Sequence, residues 1–341
     1  MFARRAARGL LIACLLTPWA PTLAQSPETF FRGRTVSIYI GFGGGGSYDF
    51  YGHLIARHMG KHIPGNPNVV AQAMPGAGSF KLANWLTSVA PKDGTAMGIV
   101  SQAVALEEAL GSSGVAYRAA DFNWIGRATS VIEIMMTFGA ARAKTIDDAR
   151  RREVLIGGTG PGSPSEGYPK LLNAGAGTKF RVIAGYPASA EVLLAMEKGE
   201  VDAAFTSWGS LSAYHQDWLA AKSVHLLAQG TVARTAELPA TPAVGELGDT
   251  PEDRTMLQLY ASTADIGRSF IAPPGMPADR VAALRAAFDA TMRDPEFRAE
   301  VEKARVEFHP ATGAEVQAIV AKNAAPPPGV IARMKKLLRG E

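Results

Sequence analysis

The sequence predicts an α/β protein built as two lobes, on three observations. Short β-branched or apolar runs alternate with stretches of helical spacing, the pattern of sheets covered by helices on both faces. The first three strand–helix units close near Arg118-Ala119-Ala120-Asp121, and a second series runs from about Ile132 to Gln229. The length of 341 residues suits two domains of ordinary size.

Residues 1–24 lie outside that fold in this reading. Arg4, Arg5 and Arg8 make a basic start, Gly9 to Leu16 is apolar, and Thr22-Leu23-Ala24 offers a small-x-small cleavage site before Gln25. This is the layout of a secretory signal peptide, too short for a membrane span. Leu11-Ile12-Ala13-Cys14 resembles a lipoprotein box but stands too close to Arg8. Arg4-Arg5 lacks the pattern that should follow a twin-arginine start. The single cysteine is Cys14, so the mature chain would have no thiol for a disulfide, a nucleophile or a metal. Cleavage also leaves 32 basic against 31 acidic residues, and no basic stripe carries interleaved aromatics. Nucleic acid is therefore not an expected partner.

Along the mature chain, Thr35 to Phe42 reads as a strand, and Tyr48 to His62 as a helix that stops at Ile63-Pro64-Gly65. Val69 to Ala73 and Thr95 to Ser101 are the next strands. Helices are predicted before Val89 and over Ala103 to Leu110. Ile132 to Phe138, Val154 to Gly157, Phe180 to Ala184, Val201 to Thr206 and Val224 to Gln229 continue the strands, in what reads as a parallel arrangement. Phe270-Ile271-Ala272-Pro273-Pro274 is one more strand, leading into a helix from Pro277 to about Arg293. Residues 25–127 and 256–341 are assigned to lobe 1 and 128–255 to lobe 2, with 1–24 the signal peptide.

The sharpest local feature is Ile40-Gly41-Phe42-Gly43-Gly44-Gly45-Gly46-Ser47-Tyr48-Asp49. Glycines between a strand and a helix let backbone N–H groups approach an anion, which the positive helix end also attracts. Gly41 to Gly46 matches G-x-G-x-x-G, but no Asp or Glu lies between Gly60 and Gly78 to hold a ribose. A tight turn without ligand is the plainer alternative. Asp49 would repel an anion unless it accepts helix N–H groups, is bridged by water or meets a cationic part of the ligand. Gly157-Gly158-Thr159-Gly160-Pro161-Gly162-Ser163-Pro164-Ser165 is a second such loop. One loop per lobe would present neutral donors to an anion from two sides, each charge-assisted bond contributing about 1.5–3 kcal/mol.

No catalytic constellation emerges. His58 and His62 are spaced i, i+4, yet Arg57 and Lys61 stand where a zinc motif needs an acid, so no metal or cofactor is expected. Ser163 and Ser207 lack the G-x-S-x-G elbow, and Asp202 and Asp217 have no obvious partner carboxylate.

Gly45-Gly46-Ser47-Tyr48-Asp49, Ala56-Arg57, Met74-Pro75-Gly76-Ala77-Gly78-Ser79 and Ala90-Pro91-Lys92-Asp93-Gly94-Thr95 follow one another in an order that resembles the tripartite tricarboxylate transporter substrate-binding proteins, the TctC or Bug family. Gly185-Tyr186, Lys198-Gly199-Glu200-Val201-Asp202 and Ala272-Pro273-Pro274-Gly275-Met276-Pro277 extend the resemblance over nearly all of the mature chain. It implies a two-lobed periplasmic-binding-protein-like (Venus flytrap, type II) fold. The expected ligand is a small organic acid held between the lobes and delivered to a two-component membrane permease, with a periplasmic monomer as the receptor. By position, lobe 1 would contribute Phe42, Gly44, Gly45, Ser47, Asp49, Ser79, Ser101 and Gln102. Lobe 2 would contribute Thr159, Gly160, Ser163, Ser165, Tyr186, Thr206, Ser207 and Trp208. Relatives often carry an acid where this chain has Thr206, which puts that contact in doubt. An exported enzyme or ligand sensor for a small acid is the alternative.

Overall fold

The computed structural model describes residues 25–44, 47–159, 163–186, 189–323 and 326–339. The signal-peptide reading, Gly45 and Gly160 lie outside these residues. The chain first lays down Thr35–Ile40 (β1), Asn68–Ala73 (β2), Ala96–Ile99 (β3) and Asn123–Arg127 (β4). It then crosses over to form Glu133–Phe138 (β5), Val154–Gly158 (β6), Phe180–Ala184 (β7), Ala203–Ser207 (β8) and Val224–Gln229 (β9). Ser269–Ala272 (β10) and Ala311–Thr312 (β11) return to the first sheet.

The first sheet has the order β11-β4-β10-β3-β1-β2 and the second β7-β6-β8-β5-β9. Apart from the edge strand β11, the two orders match: three parallel strands, then an inserted strand, then a fourth. The inserted strands, β10 and β5, run antiparallel to their neighbours. The sheets are therefore mixed, not all-parallel as the alternation predicts. The cause is topological: each inserted strand begins just after the chain has crossed between sheets, so it enters from the opposite end.

Apolar residues decide which faces are covered. Val36, Ile38 and Ile40 alternate inward along β1 and pack against Leu54, Ile55 and Met59 of helix Ser47–Met59. Phe270 joins the same core with Phe288 and Leu284 of helix Ala278–Arg293. Strand β4 is the element that sequence pattern misses. Asn123 and Gly126 are poor strand formers, but a Cβ at Gly126 would stand 2.3 Å from the Phe288 ring, so the helix can lie against β4 only over glycine.

His58 in helix Ser47–Met59 and His62 in the turn after it tie this helix to a distant one. His58 Nε2 lies 2.8 Å from Glu300, and His62 Nε2 lies 2.8 Å from Asp294, both acids at or in the helix Pro295–Ala304 region. Lys61 Nζ reaches Asp294 and Glu296 at 2.6 Å each. Hydrogen bonding from Lys61 and His62 holds the Asp294 carboxyl well below the usual carboxylate range.

The final helix, Pro328–Arg339, departs from the assignment of 256–341 to lobe 1. It packs on helix Pro164–Gly175 of the second lobe, where Met334 is buried with Leu171 and Leu172. Arg333 pairs with Asp253 at 2.6 Å. At its other end Arg339 donates to Leu110 O at 2.9 Å and to Glu107 at 3.1 Å, on the helix Val104–Ala109 side of the first lobe. The helix thus straps both halves. Its buried Met334 joins the core that Pro164–Gly175 shares with Met256 and Leu257. Met334→Ala removes a fully buried side chain and should lower unfolding free energy by about 2–5 kcal/mol. Urea denaturation checks this; an unchanged midpoint would show that the strap is not part of the core.

Candidate functional site

The two sheets face each other across a cavity of about 880 Å³. Its walls come from the ends of strands and the starts of helices in both lobes, the usual place for a ligand in open α/β sheets. Ser47 and Asp49 stand on it from the first lobe, and Thr159, Ser165, Thr206 and Ser207 from the second. These six sequence-predicted residues are brought together.

The other described candidates stand behind the wall. Phe42 stacks on the Tyr48 ring at 4.2 Å between centroids. Ser79, with a left-handed φ of 75°, is buried and its Oγ accepts the N–H of Ser101 at 2.8 Å. Ser101 Oγ in turn accepts the N–H of Ala103. Ser163 Oγ lies 2.8 Å from Ser165 Oγ, which also accepts the N–H of Thr159 at 3.0 Å, so the second loop is knitted together by its own hydroxyls. Tyr186 and Trp208 pack on the second lobe's core. Gly44 is not on the cavity wall.

The residue that sequence reasoning missed is Arg268. It is 8% exposed, lines the cavity and sits immediately before β10. Nε donates to Ser47 Oγ at 2.8 Å, Nη1 donates to Gln102 Oε1 at 2.9 Å, and the guanidinium lies 4.0 Å from the Tyr48 ring centroid. Tyr48 is itself fixed, its hydroxyl accepting the N–H of Gln102 at 3.0 Å. Phe42, Tyr48, Gln102 and Ser47 therefore form a cradle for one cation. A guanidinium has five N–H donors, and these side chains engage two of them.

The backbone at this point is tightly constrained. Gly267 has φ of 52°, and a Cβ there would come within 2.1 Å of Thr129 O. Arg268 N donates to Thr129 O at 2.8 Å, and Ala128 N donates to Arg268 O at 3.0 Å. The outgoing and returning crossings between lobes are thus paired, and Arg268 is held at their junction. The expectation of purely neutral donors is corrected accordingly: the cleft contains a buried cation.

It also contains buried acids. Glu133, the first residue of β5, is 8% exposed and lines the cavity, and burial pushes its carboxyl up while nearby Arg268 opposes that shift. Glu307 follows the Pro295–Ala304 helix and reaches across to the second lobe, where Oε1 accepts the N–H of Gly209 at 2.8 Å. Burial raises Glu307 to about 7, against lowering by the Gly209 bond and by Arg268, with Glu133 adding to the rise. Tyr51 donates its hydroxyl to the backbone oxygen of Glu307 and anchors that residue from below. At the rim, Asp49 lies 3.4 Å from His53 on the same helix. Phe50, Leu193, Phe205, Tyr214 and Val306 supply apolar surface.

Ser207 explains why one polar wall residue is less available than its position suggests. Its Oγ caps helix Trp208–Tyr214 by accepting the N–H of Ser210 at 3.1 Å. Thr206 is buried and stands where an acid was expected from relatives, so the acidic character of this cavity comes from Glu133 and Glu307 instead.

The raised Glu307 makes a pH dependence that can be measured. The unfolded chain releases this proton near the ordinary value of 4.5, whereas the folded chain retains it to about 7. Folding therefore binds protons between those values, and stability falls as pH rises from about 5 to about 7, then levels. The contribution is at most about 3 kcal/mol. Denaturation of the wild type and Glu307→Gln at pH 5 and pH 8 should show a smaller loss in the variant. Equal losses would mean that Glu307 does not titrate in this window.

Comparison with known proteins agrees with this geometry. The family profile of TctC, the tripartite tricarboxylate transporter family receptor, matches residues 54–334. No curated protein sequence matches significantly. Among solved structures, a TctC solute binding protein from Polaromonas is similar at 20% identity and a TM-score of 0.65, over 88% of this chain and 98% of that one. An R. palustris protein solved with adipate is similar at 19% identity and 0.65, over 89% and 98%. MatC from Rhodopseudomonas palustris with bound malate is similar at 19% and 0.61, over 90% and 99%. At these identities the structures share the two-lobed fold. The profile match covers most of the chain, and the protein belongs to the TctC family of tripartite tricarboxylate transporter receptors.

Proposed function

We propose that this protein is an extracytoplasmic receptor that closes around a small carboxylate-bearing acid and delivers it unchanged to a two-component membrane permease. The observation that carries the reading is Arg268, a cation cradled in a cavity between two lobes beside the hydroxyl of Ser47. Such a group binds a carboxylate through charge-assisted bonds, and neighbours with this fold hold adipate and malate. Ser165 and Thr159 face the same space from the second lobe, so one ligand can touch both halves. Ligand contacts divided between lobes favour closure, because only the closed state makes them all.

The remaining parts of the reading follow from chemistry and family. Export by the N-terminal segment places the receptor in the periplasm, where it acts as a monomer. The lobes divide near residues 127 and 256, with the paired crossings at Thr129 and Arg268 as the hinge. Among the described residues no helix is long and apolar enough to cross a membrane, in keeping with a receptor that meets its permease at the surface. Turnover is not part of the proposal: among the described residues, the hydroxyls of Ser165 and Ser207 bond to neighbouring hydroxyls and backbone and to no base.

The test is calorimetry and thermal shift on the chain from Gln25, refolded from denaturant to strip carried ligand. Aliphatic and aromatic carboxylates, sugars and nucleotides form the panel. Binding confined to carboxylates, with the ligand recovered intact, is expected. Arg268→Met should weaken a carboxylate that binds the wild type by about 10- to 100-fold, the worth of one charge-assisted contact. Full affinity in that variant, or binding only of sugars or nucleotides, would contradict the reading.

A further inference from the structure

The inner wall of the cavity carries more buried acidic side chains than a receptor for di- or tricarboxylates needs. Arg268 interacts with both Glu133 and Glu307, and the two acids also interact with each other. The other cation on the wall, Arg57, is paired with Glu300 away from this group. Glu307 is occupied, accepting the N–H of Gly209 from across the cleft. Glu133 differs. It is more than nine-tenths buried and lines the cavity, and among the described residues its carboxyl accepts no hydrogen bond.

We infer that the ligand is a zwitterion, a monocarboxylic acid that also carries a cationic nitrogen, with its carboxylate against Arg268 and Ser47 and its nitrogen against Glu133. This rests on the carboxylate-receptor reading and narrows it. A buried carboxylate without a partner is costly. A ligand carboxylate that recruits Arg268 draws away the positive charge that Glu133 faces, and a second ligand carboxylate would then add a like charge beside it. A cationic nitrogen does the opposite, giving the Glu133 carboxylate a partner of opposite charge. Phe205, Leu193 and Val306 give the carbon skeleton between the two ends an apolar bed. The rival arrangement is a protonated Glu133 that donates to a second carboxylate, and it predicts the reverse preference.

Matched ligands separate these outcomes. Calorimetry on the refolded chain at pH 7.5 would compare 4-aminobutanoate, glutarate and butanoate, and in parallel 4-(aminomethyl)benzoate, terephthalate and benzoate. In the set that fits the cavity, the amino acid is expected to bind at least about tenfold more tightly than the dicarboxylate of the same skeleton. Glu133→Gln should shrink that ratio toward one. A dicarboxylate that binds as tightly as its amino partner overturns the zwitterion and leaves the carboxylate receptor standing. If none of the acids binds, both readings fall. Should Glu133→Gln not fold, the wild-type ratio decides alone.

Discussion

A single buried guanidinium organises the cleft. Arg268 sits where the returning chain meets the outgoing one, and three side chains of the first lobe are placed around it. Ser47 and Gln102 accept from it, Tyr48 lies under its plane, and Phe42 backs Tyr48. Burying such a charge without partners would cost several kcal/mol, so the first-lobe loop is shaped by what Arg268 requires. Several glycine-loop and strand-end residues that look like ligand contacts in the sequence turn out to support this cation. Ligand recognition is then delegated to the few groups left on the wall.

The same position controls how the lobes are joined. The backbone pairing of Arg268 with Thr129 and Ala128 ties the two crossings into one short ribbon, and Gly267 is needed because any side chain would collide with Thr129. Away from these crossings the lobes touch through Glu307, whose carboxylate accepts from Gly209 of the opposite lobe, and through His309, 3.3 Å from Glu237. The C-terminal helix holds both halves from outside through Met334, Arg333 and Arg339. The Glu307 contact lies on the cavity wall. This inter-lobe bond is made by a buried acid whose neutral form burial favours.

Most of the fold was legible because its strands are short, apolar and bounded by glycine or proline. β1, β2, β7 and β9 match the periodic runs to within two residues, and helix Ala278–Arg293 matches its predicted span almost to the residue. What escaped was set by partners distant in sequence. β4 is a strand because Phe288 covers Gly126 and β10 pairs beside it, neither visible in Asn123-Trp124-Ile125-Gly126-Arg127 itself. The site was half legible for the same reason. Ser47, Asp49, Thr159, Ser165, Thr206 and Ser207 lie at the ends of strands or in the first turns of the helices that follow, where pattern points to them. Arg268 and Glu133 precede or begin strands. On a parallel strand that end lies away from the ligand, so a reading that assumes parallel sheets searches the wrong edge for them.

That error of direction points to the device the fold uses to charge its cleft. In each sheet the inserted antiparallel strand starts at the ligand edge, while its parallel neighbours end there. β10 is preceded by Arg268 beside Gln102, just beyond the end of β3. β5 begins with Glu133 opposite Ser207 at the end of β8. Each crossing between lobes thus delivers one ionisable side chain to the cavity, and the two are of opposite sign. Both stand at the backbone-paired crossings, so their places in the cavity follow from how the two lobes are joined. The cleft floor therefore pairs a guanidinium with an acid whose neutral form burial favours, both set by the crossings rather than by the hydroxyl-bearing ends of the parallel strands.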